Sequence, residues 1–176
     1  MIDGKKTVVI IGGGAAGYFA AITAAQTNPS LQVILLEAGS QVLRKVKISG
    51  GGRCNLTHHC FEPKELSTKY PRGAKELRGA FHHWQPGNTI EWFEERGVKT
   101  KVEEDGRMFP VSDDSQTVIN CLRSEAHNHG VSERLNSRVT ALQQIDDQWE
   151  IELNGKEFLM ADKVCLALGS LKQSGL

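Results

Sequence analysis

Gly12, Gly14 and Gly17 follow the β-branched apolar run Thr-Val-Val-Ile-Ile at 7–11, and an alanine-rich stretch then runs without a breaker to Pro29. Strand, tight turn and helix in that order aim backbone N–H groups and the positive end of a helix dipole at one point, which suits a pyrophosphate. Gly12 lets the chain turn sharply off the strand, Gly14 lets backbone approach phosphate without a Cβ in the way, and Gly17 lets helix and strand pack closely. The turn residues Gly12, Gly13, Gly14, Ala15, Ala16 and Gly17 are therefore candidate cofactor contacts. A second strand, Leu31–Leu36, ends at Glu37, twenty residues beyond Gly17. A carboxylate there accepts hydrogen bonds from both hydroxyls of an adenosine ribose and repels a 2′-phosphate. Glu37 and the adjacent Ala38 thus complete a candidate adenine dinucleotide site that disfavours NADP. These residues alone do not separate FAD from NAD.

Around that site the expected architecture is α/β, built from alternating elements. Gly39 to Tyr70 shows little periodicity and reads as a long loop containing Gly50-Gly51-Gly52. Ala74–Trp84 is predicted to form a helix with Leu77, Ala80, Phe81 and Trp84 on one side. Asn88, with Glu91 three residues on, predicts an N-cap, and Gly97 closes that second helix. Val98–Val102 and Arg107–Val111 form a hairpin. Asp114 caps a helix to about Asn128, ended by Gly130, and a strand at Val131–Leu135 follows. Arg138–Ile145, Gln148–Leu153 and Lys156–Met160, separated by Asp-Asp and Asn-Gly turns, make an antiparallel meander. Lys163–Leu168 returns as a strand that stops at Gly169. The whole predicts a Rossmann-like FAD/NAD(P)-binding domain: a parallel sheet with a three-stranded meander and an insert over about 39–113.

Composition narrows the function classes. The 176 residues carry 21 lysines and arginines against 21 aspartates and glutamates, so no global field draws the chain to nucleic acid or an anionic membrane. The longest apolar runs fall far short of the roughly 20 residues a membrane helix needs. No cleavable signal pattern precedes the first strand, and a cytoplasmic setting is expected. Cys54, Cys60, Cys121 and Cys165 are unevenly spaced and read as thiols, not disulfides. Cys54, His58, His59 and Cys60 lack a second ligand pair elsewhere, and no metal site is expected.

The loop Arg44-Lys45-Val-Lys-Ile-Ser49-Gly50-Gly51-Gly52-Arg53-Cys54-Asn55-Leu-Thr57 closely resembles the R-K-x-x-x-S-G-x-G-R-C-N-x-T signature of the BaiN/YhiN-type FAD-dependent oxidoreductases, a group that includes enzymes called aminoacetone oxidases. Gly106-Arg107-Met-Phe109-Pro110 is similar to that family's G-R-x-F-P segment, and the motifs occur in family order across the chain. The resemblance implies FAD, with adenosine near Glu37 and isoalloxazine toward Lys45, Ser49, Gly50, Gly52, Arg53, Cys54 and Asn55. Lys45, Lys47 and Arg53 would supply positive charge, which favours an anionic reduced flavin. Related flavoproteins also imply that Val139 offers backbone groups to the adenine edge, and Gly169 falls where the last strand reaches the cofactor. Arg107 either approaches the cofactor or pairs with Glu103 or Asp105.

Three departures accompany the resemblance. His58 stands where the family commonly has asparagine. Leu166-Ala167-Leu168-Gly169-Ser170 replaces the usual A-T-G-G, and family members are much longer, with an inserted second domain and a C-terminal return segment. The expected function is the FAD-binding portion of a flavin-dependent oxidoreductase acting on a small organic substrate. Two-electron oxidation or reduction, with NAD(P)H as electron donor or oxygen as the exchange partner, is expected in full-length relatives, and weak or no turnover is expected from this chain alone. No catalytic residue is assignable. The alternatives are an NAD-binding dehydrogenase domain or a non-catalytic remnant that holds adenine nucleotide.

Overall fold

The computed structural model describes residues 5–169. In chain order its elements are β1 (Thr7–Ile11), α1 (Ala15–Thr27), β2 (Gln32–Leu36), α2 (Arg44–Ile48), a 3₁₀ turn at Ser49–Gly52, β3 (Thr57–His58), α3 (Pro63–Thr68), α4 (Ala74–Ala80), α5 (Pro86–Glu94), β4 (Thr100–Val102), β5 (Arg107–Pro110), α6 (Ser115–Asn128), β6 (Ser132–Arg134), β7 (Val139–Ile145), β8 (Gln148–Leu153), β9 (Glu157–Ala161) and β10 (Lys163–Leu166). They fall into two compact units, one running to Lys45 and resuming at Leu122, the other Val46–Cys121.

The first unit holds a parallel sheet in the order β10-β1-β2-β6. Val9, Ile10 and Ile11 are buried in succession, as are Val33 to Leu36, because both faces of the sheet are covered. Val9, Ile11, Ile34 and Leu36 pack against Ile151, Leu153 and Ala161 of the antiparallel meander β7-β8-β9. Helix α1, which contacts β1 and β2, buries Tyr18, Ala21, Ile22 and Ala25. Each fully buried Ile or Leu contributes about 1.5–3 kcal/mol. Tyr18 is wholly buried, and its hydroxyl donates to the Glu133 carboxylate. Arg123 donates to the same carboxylate at 3.0 Å. Burial and that carboxylate both push the Tyr18 phenol up, so it stays protonated.

Strand β10 ends two residues earlier than the expected Leu168. The Ala167 N–H donates to Ile11 O at 2.8 Å, and beyond that bond β1 has already turned at Gly12 and offers no partner.

In the second unit β3, β5 and β4 form an antiparallel sheet, confirming the hairpin and adding a strand. The stretch 39–70, expected as loop, contains α2, the 3₁₀ turn, β3 and α3. Elements of two to six residues are too short to show periodicity, although Pro63 at the start of α3 is a helix-start residue. The helix expected over Ala74–Trp84 ends at Ala80 and has no buried residue, and Trp84 is 44% exposed. Gly79 weakens its end, and the next turns close by shorter bonds, His82 N–H to Gly79 O and His83 N–H to Ala80 O. Asn88 is not the cap of α5. Pro86 occupies the first turn and Gln85 the cap, so Asn88 Oδ1 instead accepts the Gln85 N–H at 3.0 Å. Asp114 does cap α6, accepting the Gln116 N–H at 2.8 Å.

Candidate functional site

The site in the first unit begins at the turn after β1. Gly12 has φ +118, and its N–H donates to Leu36 O at 2.8 Å. A Cβ on Gly12 would lie 2.4 Å from Ala167 O, and one on Gly17 would lie 1.9 Å from Gly12 O. Both glycines are thus required by backbone contact inside the protein. A Cβ on Gly14 would meet nothing within 4 Å. Gly14 caps α1, which has no side-chain cap and no acidic residue in its first turn. The N–H groups of a first helical turn have no intrahelical acceptor, so this end is open and electropositive, as a pyrophosphate requires.

Glu37 stands at the end of β2. Its Oε2 accepts the Gly13 N–H at 3.0 Å and its Oε1 accepts the Gly39 N–H at 2.8 Å. The carboxylate is therefore oriented by two backbone donors, with remaining lone pairs for ribose hydroxyls. A cleft of about 380 Å³ opens here, lined by Gly12, Glu37, Ala38 and Val139, with Ile11, Leu36, Leu142 and Leu166 as apolar walls. That volume and polarity fit an adenosine. A Cβ on Gly169 would sit 3.4 Å from Lys45 Nζ. The structure thus assembles Gly12, Glu37, Ala38 and Val139 at one cleft and brings Lys45 beside Gly169. Ser137, Arg138 and Thr140 also line the cleft and escaped the sequence reading. Their signal was adjacency to Val139 at the start of the meander. Ser170 lies outside the described residues.

Ser49, Gly50, Gly52, Arg53, Cys54 and Asn55 belong to the second unit. Gly50, Gly51 and Gly52 have φ of +57, +71 and +90. A Cβ on Gly50 would lie 2.5 Å from the Phe109 ring, whereas one on Gly51 would meet nothing within 4 Å. Ser49 O accepts the Cys54 N–H at 2.9 Å. The Asn55 amide, oriented with its nitrogen toward the two acceptors, donates to Thr57 O at 2.9 Å and Met108 O at 3.2 Å. The two family-like segments are therefore joined physically through Phe109 and Met108.

Arg53 carries its positive charge within a network of partners. Its guanidinium lies 4.0 Å over the Phe109 ring centroid, pairs with Glu103, and is 3.6 Å from Asp113 Oδ1. Lys101 also pairs with Asp113, and Lys101 first, then Arg53, hold that carboxyl below its usual range. Arg107 donates to Asp105 Oδ2 at 2.6 Å, which resolves the expectation toward pairing. Cys54 is buried at φ +65, and burial pushes its thiol up to about 11. It is no nucleophile at neutral pH. His58 Nε2 lies 3.1 Å from Asp105 O, and the would-be Gly106 Cβ would lie 2.5 Å from the His58 ring. His58 is thus packed on the β4–β5 turn.

Among known proteins, the profile of the family described as HI0933-like protein Rossmann domain matches residues 6–176. The chain is 34% identical, over 95% of its length, to a Clostridium scindens protein named 3-dehydro-bile acid delta(4,6)-reductase. It is 30% identical, over 96% of its length, to an Escherichia coli protein named ribosomal RNA dihydrouridine synthase. It spans about 40% of the length of each. Solved structures share the fold. Thermovibrio ammonificans THI4 aligns with a TM-score of 0.56 at 14% identity, over 91% of this chain and 56% of that one. OTEMO in complex with FAD and NADP aligns at 0.53 and 20% identity, over 96% of this chain and 26% of that one.

Proposed function

Because the chain belongs to the HI0933-like Rossmann domain family, we propose that it is the FAD-binding portion of a flavin-dependent oxidoreductase. The observation that carries this reading is the open, uncapped N-terminus of α1 beneath Gly14, standing beside a cleft that also exposes Glu37. The first-turn N–H groups of α1 would hold the pyrophosphate, since those of Gly12 and Gly13 already donate to Leu36 O and Glu37 Oε2. Glu37 would accept the ribose hydroxyls with its remaining lone pairs while Gly13 and Gly39 keep it oriented. Val139 backbone would face the adenine edge, and Lys45 would add charge beside Gly169. The Ser49–Asn55 loop is proposed to serve the same cofactor, on the strength of its motif. There Arg53 and Phe109 keep the loop in one shape. Bound FAD would supply the two-electron chemistry.

The relatives' names, which describe a reductase and a dihydrouridine synthase, support two readings of the substrate class. Reduction of a small organic substrate, with NAD(P)H as electron donor, is the first reading. RNA as substrate is the second, favoured by the 30% identity to the ribosomal RNA enzyme. A cytoplasmic setting is part of the same proposal, in keeping with buried free thiols at Cys54 and Cys60. Among the described residues no helix is long and apolar enough to cross a membrane.

The test is titration of FAD into the protein, followed by flavin fluorescence, with ADP and NADH as competitors. Saturable quenching reversed by ADP is expected. Protein that ignores FAD and binds NADH supports an NAD-binding dehydrogenase domain instead.

A further inference from the structure

Asn154 does more than turn the chain between β8 and β9. It adopts φ +54, and three hydrogen bonds run from it to a single stretch before β7. Its backbone N–H donates to Arg138 O at 2.8 Å. Its Oδ1 accepts the Arg138 N–H at 3.1 Å, and its Nδ2 donates to Asn136 O at 3.0 Å. From the other side, the Ser137 N–H donates to Glu37 O and the Asn136 N–H to Gly39 O, both at 2.9 Å. Residues 136–138 are thus braced between Asn154 and the strand end that carries Glu37.

The strand register slips between Val139 and Ala141 immediately afterwards. The same turn supports that slip, since the Gly155 N–H donates to Thr140 Oγ1 at 3.2 Å. Ser137, Arg138, Val139 and Thr140 all line the nucleotide cleft, and Asn154 does not. Asn-Gly is a favoured pair where both turn residues are left-handed, as Asn154 and Gly155 are, and glycine at 154 would satisfy that backbone as well. Here the side chain makes two further bonds, both to the segment that forms the cleft wall.

We infer that Asn154 is a positioning residue for the nucleotide cleft, presetting the Ser137–Thr140 wall and thereby setting affinity for the adenosine end of the cofactor. This rests on the nucleotide reading above. A preformed wall removes the ordering cost of binding, so loss of the side chain should weaken ligands that share an adenosine diphosphate and leave general stability little changed.

The test titrates ADP and FAD into the full chain and its variants Asn154→Gly, Asn154→Asp and Asp146→Gly, with urea unfolding alongside. Asp146 holds φ +51 in the β7–β8 turn and does not line the cleft, so it reports the effect of altering a turn alone. Asn154→Gly keeps the left-handed backbone and loses two side-chain bonds. It is expected to weaken ADP and FAD alike by roughly tenfold or more, with an unfolding midpoint matching that of Asp146→Gly. Asn154→Asp retains the acceptor for the Arg138 N–H and is expected to recover part of the affinity. Wild-type affinity in Asn154→Gly, or an equal loss in Asp146→Gly, overturns the inference. Wild-type protein that binds neither ligand overturns the nucleotide reading and this inference together. Should Asn154→Gly not fold, Asn154→Asp decides: weaker ADP binding supports the inference and unchanged binding overturns it.

Discussion

In the Gly12–Gly17 turn two of the four glycines answer to backbone, Gly13 to the Val42 and Glu37 side chains and Gly14 to empty space, whereas in the Ser49–Asn55 loop they answer to an aromatic ring and to left-handed dihedrals. Gly12 and Gly17 would press a Cβ onto carbonyl oxygens at 2.4 and 1.9 Å, and Gly14 would press on nothing. Gly50 would strike Phe109, and Gly51 and Gly52 are held at positive φ. The charges differ as well. The first turn of α1 contains no acidic residue, although the Glu37 carboxylate accepts the Gly13 N–H just before it, while Arg53 is engaged by Glu103, Asp113 and Phe109. Two stretches of similar composition thus do different work: one keeps backbone donors open, the other fixes the shape of a loop. Glycine content alone does not mark a ligand site; the surroundings of each glycine do.

The largest effect that would break this contrast is expected at Gly17. Gly17→Ala drives a methyl into a fixed carbonyl and should cost at least ~3 kcal/mol of stability, read by urea unfolding. A neutral result would mean that helix and strand need not pack so closely. Gly50→Ala combines a ring clash with positive φ and should cost about 2–3 kcal/mol. Replacing Phe109 by Leu in the same variant should recover part of that loss if the ring is the obstacle. Glu37→Ala acts on affinity, weakening FAD and ADP by about 1–3 kcal/mol, the range for lost charge-assisted hydrogen bonds. Calorimetric titration giving an unchanged affinity would move the ribose contact elsewhere.

The smallest effect concerns Cys54. Its folded thiol, at about 11, lies above the ordinary value of 9.0, so the fold prefers the protonated form. The corresponding stability is whole below pH ~9 and declines as pH rises toward 11. Urea midpoints measured from pH 8 to 11 should fall, and Cys54→Ala should flatten that fall. A slope identical in the two proteins would place the titration on another group.

Much of the first unit was legible because its elements carry strong local signals. The run into Gly12, the acid at Glu37 and the turn dipeptides of the meander each bear their mechanism in a few residues. The second unit was less so, since α2, α3 and β3 are too short for periodicity. The cap of α5 was misplaced because Asn88 is a good cap residue, but Pro86 fits the first turn better. The ion pairs of Arg53 were not legible because its partners Glu103 and Asp113 lie fifty and sixty residues away in sequence. Asn154 looked like a plain turn residue because its contacts with Asn136 and Arg138 exist only once β7 and β8 are paired.

The most direct test of the central claim, that the α1 turn is kept open for a dinucleotide, compares Gly14→Ala with the wild type for both stability and FAD binding. The added methyl touches nothing in the protein, so urea unfolding should shift by no more than about 1 kcal/mol. FAD and ADP affinity should nevertheless fall by tenfold or more, about 1.4 kcal/mol. Equal affinity in the two proteins would contradict the account, because the space above Gly14 would then hold no phosphate.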